Sequence, residues 1–391
     1  MSNHPVRSVL EGVPRVHFYE GGVRCPEDII LPSVMRAMLE YLGEPDYGCK
    51  HCLAQGPGAR VLCTYSFLVG VSGAASYLSW KEGWHGDNSA IFYMSGDPAA
   101  PERHVFEAIG YEHEWVIKEP GGNSEALFRE RIAESIGRGM PVLGYGVIGP
   151  PEPSIIAGYD EGGEVLIGWS FFQGMPELNQ GVTFEPAGEG QAAGYFRKRD
   201  WFEDTECLLI VGDKVDKPAL QETYRSALEW MLQVARTPIV RPEADAPEWY
   251  QQRHNGLAAY DAWADHLLRD EEWPPNDEAT LRAHHQIHDH ATGDLAEARW
   301  YGSVFLTQAA EGFGAGPGKR GTSAEILHAA ACYAAEHDLM WEAWELTGGI
   351  GSPEAYRHMA DPGVRRALAE VVRRAREQDA RAVEHIERAL A

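Results

Sequence analysis

A thiol, an imidazole and a carboxylate carry the most chemistry in this sequence. Cys63 directly precedes an apolar run, 64–80, that reads as a buried helix. A thiol at a helix N-terminus is shifted toward the thiolate, which is the nucleophile. His85 and Asp87, in the segment Trp-His-Gly-Asp-Asn, are suited to shuttle its proton and to orient the ring. The plainer reading of Cys63 is a small core residue at a helix start. Cys25, ahead of Pro-Glu-Asp-Ile, is a second thiol beside a helix-start turn. Cys49 and Cys52 form a C-x-x-C pair around His51, but zinc wants four ligands and the sequence has no second such pair. Cys207 and Cys332 sit in apolar stretches and read as core residues.

Histidines crowd the segment 284–290. His284 and His288 stand at i and i+4 and share a helix face, so they can grip a metal, with His254 and His337 completing the set. Surface histidines are the commoner outcome of such a pattern, and neither metal nor cofactor is assigned. No phosphate-binding loop is present, since both G-x-x-x-x-G-K and a strand-linked G-x-G-x-x-G are missing.

These residues need a scaffold. The stretch 139–173 predicts three short strands at 141–147, 154–158 and 165–169. The last two are joined by Asp160-Glu161-Gly162-Gly163, a hairpin turn whose glycines supply positive φ. Helices are expected at 32–42, 63–80, 100–109 and 124–138, closing strands at 194–202 and 206–212, and a long loop or flap at 174–194. An amphipathic helix at 219–236 leads to a Pro-rich linker at 237–247. The remainder is helical in pattern: 248–269, 277–290, 293–311, 322–347 and 363–390. The expected domains are therefore 1–213 (α/β), 214–247 (connecting helix and linker) and 248–391 (helical).

The order of these pieces resembles two related families. The strand set PVLGYG, IIAGYD and VLI is similar to the central sheet of papain-like cysteine peptidases of the bacteriocin-processing type. Over nearly the whole chain, PSVMRAMLEYLGE, SFLVGVSGAASYLSW, RHNGLAAYDAWADHLL, HATGDLAEARWYGSVFLTQAAE and ILHAAACYAAEHDLMWEAWEL resemble the butirosin-biosynthesis H-type acyltransferase family. The resemblance implies an α+β fold: a papain-like domain with a small antiparallel sheet, then an all-α domain. It implies acyl transfer or amide hydrolysis, a thiolate attacking a thioester or amide and an amine taking the acyl group. Its nucleophile would align with residues 30–34, where only Ser33 is nucleophilic. Glu152, Pro153 and Ser154 stand where its His would be, and Trp169 and Ser170 where its acid would be. Its cleft would hold Glu152 as a desolvated general base or cation anchor, with Tyr159 and Asp160. Trp169, Phe171 and Phe172 would form the apolar wall. A degenerate, ligand-binding descendant of the fold and a metal enzyme built on the histidines are the alternatives.

The formal net charge of −25 over 391 residues disfavours nucleic acid and anionic membranes and suits a cationic, amine-bearing small substrate. No apolar run approaches the ~20 residues of a membrane helix. The first twelve residues lack an apolar signal core, so a cytoplasmic protein is expected. The long final helix suggests a homodimer.

Overall fold

The computed structural model describes residues 4–16, 26–44, 63–119, 124–187, 194–243, 250–313 and 320–391. Cys25, Cys49, His51 and Cys52 lie outside them. The chain forms two compact units: Met1–Tyr65 with Ile109–Lys217, and Ser66–Ala108 with Pro218–Ala391. This corrects the expected division at 213 and 247. Residues 66–108 belong with the helices because strand Ser79–Trp80 pairs with Arg253–Asn255, which pairs in turn with Ile239–Val240. The Pro-rich 237–247 stretch therefore contains a strand, and its prolines flank rather than interrupt it.

The longer helices are α1 (Ile30–Tyr41), α2 (Thr64–Ser72), α3 (Ala100–Ile109), α4 (Ser124–Gly137), α5 (Leu220–Arg236), α6 (Leu257–Leu268), α7 (Glu278–Phe313), α8 (Arg320–Leu346) and α9 (Pro362–Leu390). Helix α2 is shorter than the expected 63–80. Gly73, at φ 89°, ends it in the left-handed conformation that glycine adopts without a Cβ clash. Helix α7 is longer than expected and runs 36 residues straight through Gly293.

The first unit is built on an antiparallel sheet. Its strands are β1 (Ser8–Val9), β2 (Tyr111–Ile117), β3 (Val142–Tyr145), β4 (Pro153–Asp160), β5 (Val165–Trp169), β6 (Val182–Phe184), β7 (Phe196–Arg199) and β8 (Cys207–Lys214). The order is β2-β8-β3-β4-β5-β7-β6, with β1 on β4. Strands β3, β4 and β5 are almost wholly buried, so both sheet faces need cover. Phe128, Ile132 and Ile136 of α4 pack with Ile156, Tyr159, Leu166 and Leu208. Helix α1 also lies against β4. The expected flap at 174–194 is partly a correction: it contains 3-10 turns and strand β6, which pairs with β7.

The β4–β5 hairpin carries a bulge between Ile156 and Gly158, and Gly168 fits into it. A Cβ on Gly168 would lie 1.9 Å from the Ile155 carbonyl oxygen, a backbone atom that cannot swing away. Gly168→Ala is expected to cost about 2 kcal/mol or more. Gly137→Ala, facing open space at the end of α4, is the control. Urea melts followed by circular dichroism decide it; a Gly168→Ala midpoint equal to that of Gly137→Ala would show that the hairpin yields freely.

The second unit is a helical bundle of α6, α7, α8 and α9 closed over a core rich in indoles. Trp80 stacks on Trp263 at 5.4 Å, and Trp84 meets Trp273 edge-on at 4.8 Å. No helix among the described residues is long and apolar enough to cross a membrane.

Candidate functional site

The residues of the expected Cys63–His85–Asp87 set fall in different units. Cys63 belongs to the first unit, His85 and Asp87 to the second. The Asp87 carboxylate accepts from Tyr93 Oη at 2.9 Å and from Arg253 Nη2 at 3.0 Å. Burial raises its pKa, but the Arg253 charge and these two hydrogen bonds more than offset that and hold it below the usual range. Asp87 is a structural carboxylate that ties residue 87 to the 253–255 strand. The His85 ring instead meets the Glu82 carbonyl, with Nε2 at 2.8 Å. Closeness in sequence misled because the 81–94 stretch turns back on itself to cover the indole core.

The expected cleft is likewise pulled apart. In the β4–β5 pairing Ile155 faces Trp169, whereas Asp160 faces Val165. Glu152 and Trp169 therefore mark one end of the hairpin and Tyr159 and Asp160 the other, from about 13 Å (Trp169 to Tyr159) to about 26 Å (Glu152 to Asp160) along the strands at ~3.3 Å per residue. Tyr159 is buried in the α4-side core. Asp160 pairs with Arg197 and Arg7, each at 2.9 Å, and caps Glu161; these contacts, the Arg197 bond foremost, lower its pKa. Trp169 donates from Nε1 to the Val13 carbonyl at 2.8 Å, with the Arg15 guanidinium 5.9 Å from its ring. Phe171 and Phe172 form a half-buried edge-on pair on a 3-10 turn. Ser170 caps that turn, accepting from the Phe172 N–H, so it too has a structural use.

What the structure assembles is a different cluster, at the start of α1. Ser33 is wholly buried, and its Oγ donates to Glu27 Oε2 at 3.4 Å. Arg36, one turn on, places Nε 2.9 Å from the same oxygen. Its Nη2 donates to the Arg15 carbonyl at 3.1 Å, so the segment that meets Trp169 is also held to α1. Glu27 is 2% exposed. Burial pushes its pKa up to about 7, Arg36 working against the rise and the nearby Cys63 thiol adding to it. The Ile29 N–H donates to Tyr65 Oη at 3.0 Å, pinning the residues after Cys63 to the start of α1. Cys63 itself is 3% exposed and immediately precedes α2. The cluster thus brings a hydroxyl and a guanidinium to a carboxyl raised to about 7, with Cys63 near enough to add to that rise.

Sequence reasoning found Cys63 and Ser33 but missed Glu27 and Arg36. One signal was available. Arg36 sits inside the otherwise apolar run Ile-Leu-Pro-Ser-Val-Met-Arg-Ala-Met-Leu, and a charge on a buried helix face requires a partner.

The candidate histidines do not converge. His284 stacks on Trp84 at 5.5 Å, with Nδ1 2.8 Å from the Glu272 carbonyl. His288 accepts from Trp263 Nε1 at 3.2 Å, and its burial drives its pKa down to about 3. His337 lies between the Ala296 carbonyl and Trp341 Nε1, each at 3.0 Å. His254 is in the 253–255 strand. The first three have separate partners, and among the described residues these four histidines form no common ligand set, which corrects the shared-metal reading. Cys207 and Cys332 are half-buried rather than core.

A separate open groove of about 890 Å³ lies where β2 and β8 meet α4. Its arginines are taken: Arg131 pairs with Glu114 and Glu134, and Arg138 with Asp213. None of the expected site residues lines it.

Comparison with models of known protein families finds no match, and comparison with curated proteins finds none either.

Proposed function

We propose that the first unit is a papain-like acyl-transfer or amide-cleaving domain, acting on a small amine-bearing substrate, with its reactive centre at Cys63. The observation that carries this reading is the buried Glu27 carboxyl, held near neutral pKa beside the Cys63 thiol and the Ser33 hydroxyl. Helix α1 lying against a central antiparallel strand supports the fold half of the reading. In the first step the Cys63 proton passes to Glu27 as sulfur bonds the acyl carbon. The leaving amine or thiol then departs with that proton. In the second step an incoming amine or water gives its proton to Glu27 while it displaces sulfur, and the thiol is restored.

Near-complete burial of Cys63 and Ser33 favours a second reading, a fold kept for ligand binding after chemistry was lost. Iodoacetamide labelling at pH 5–9, read peptide by peptide, separates the two. The enzyme reading expects Cys63 to label at least tenfold faster than Cys207 and Cys332, and Glu27→Gln to remove that advantage. Equal rates at all three thiols would rule out cysteine catalysis at this site.

A further inference from the structure

Two helices of the second unit bring together a donor set that none of the readings above uses. Glu325 and His328 stand at i and i+3 on α8, and His385 comes from α9, which packs along it. One ligand atom from each of the three lies within 4.8 Å of the others. His385 Nδ1 is 2.7 Å from Glu325 Oε2, and the His328 and His385 rings are 5.0 Å apart. Glu325 and His385 are half-buried and His328 is exposed, so the set is held by its helices yet open to solvent.

A fourth group shows what is unresolved there. Arg388 places Nη2 2.7 Å from the same Nδ1 of His385 and Nε 2.9 Å from Glu325 Oε2. The carboxylate requires Nδ1 to carry a hydrogen; the guanidinium requires it to present a lone pair. One ring nitrogen cannot do both. A cation seated among Glu325, His328 and His385 removes the conflict, since Nδ1 and the carboxylate then both direct lone pairs at it. Arg388, half exposed, has room to turn away into water.

We propose that Glu325, His328 and His385 form a zinc-binding site on the helical unit, with Arg388 as the resident cation that zinc displaces. Two imidazoles and one carboxylate are borderline donors that suit Zn²⁺ over Mg²⁺ or Ca²⁺, and three protein ligands leave a fourth position for water.

The test is titration of the untagged full-length protein with Zn²⁺ against a chromophoric chelator. One equivalent is expected at this site. His328→Ala and His385→Ala should each weaken it at least tenfold, Glu325→Gln less, and the exposed His290→Gln not at all. Arg388→Ala should tighten it, a gain that misfolding cannot mimic. Cys49→Ser/Cys52→Ser should leave this equivalent in place. Zinc affinity unchanged by His385→Ala, or abolished by Arg388→Ala or by the double serine variant, overturns the assignment.

Discussion

Arg299→Met is expected to destabilise the helical unit by about 3–5 kcal/mol, the cost of stranding buried charges whose partner is removed. For a unit of this size that is roughly a 10 °C fall in Tm. Arg299 is wholly buried at the meeting point of the bundle. Its Nε donates to Glu336 of α8 at 3.0 Å, and Nη2 to Asp379 of α9 and to Tyr260 Oη of α6, both at 2.8 Å. Nη1 donates to the Ala75 carbonyl at 2.6 Å, and the Tyr333 ring lies 4.9 Å from the guanidinium. One side chain of α7 therefore joins three other helices and the 74–76 turn. Methionine fills a similar volume but leaves the buried Asp379 carboxylate without a counter-charge and Glu336 without its guanidinium donor. Hydrogen exchange resolved by peptide measures the effect on this unit alone. A loss below about 1 kcal/mol would mean that the two carboxyls find other partners, and the keystone role would be wrong.

The second large effect is a stability optimum near pH 6.5 in the helical unit, set by the same network. Burial raises the Glu336 pKa from 4.5 to about 8, with Arg299 opposing and Asp379 adding to the rise. The folded state then keeps a proton that the unfolded chain has released, so stability falls as pH climbs from 4.5 to 8, at about 1.4 kcal/mol per unit. His288 works in the opposite sense. Its pKa, driven down to about 3 by burial, keeps it neutral in the folded state while the unfolded chain protonates below 6.5. Stability therefore rises with pH from 3 to 6.5. Between 4.5 and 6.5 these two slopes cancel. Burial also lowers His104, His284 and His285, which tilts that interval upward. Above 6.5 only the Glu336 fall remains.

Among the described residues of the first unit no lowered histidine is found to set against Glu27. Glu27, raised to about 7, makes that unit lose stability from pH 4.5 to 7. Peptide-resolved hydrogen exchange at pH 5, 6.5 and 8 should therefore show the two units diverging between 5 and 6.5. Glu336→Gln should abolish the decline above 6.5 in the helical unit only. A decline that persists in Glu336→Gln would assign it to another group.

How much of this was legible beforehand varies by element. The β4–β5 hairpin was readable because its signals are local: short, nearly continuous apolar runs on either side of Asp-Glu-Gly-Gly, with Gly162 at φ 70°. Helices α3, α4, α5 and α9 were readable from 3.6-residue periodicity and their flanking residues. The site was not. Asp87 looks like a triad acid in sequence and is instead committed to Arg253, 166 positions away. Tyr159 and Trp169 look like pocket partners but are separated by strand register. Glu27 looks like a surface carboxylate after a proline, yet it is buried beside Arg36 and Cys63.

The sequence alone determined the central strands 142–145, 153–160 and 165–169 and most of the helices, that the chain is acidic, and that the second half is mainly helical. Those follow from composition and from periodicities of two and 3.6 residues, properties of neighbours along the chain. Tertiary structure alone decided that residues 66–108 join the helices, that Ser33 and Arg36 close on a buried Glu27, and that Glu325, His328 and His385 meet. Each of these depends on pairing or packing between segments tens to hundreds of residues apart. The energies that choose among such pairings, desolvation of charge foremost, arise only after the chain has closed around them.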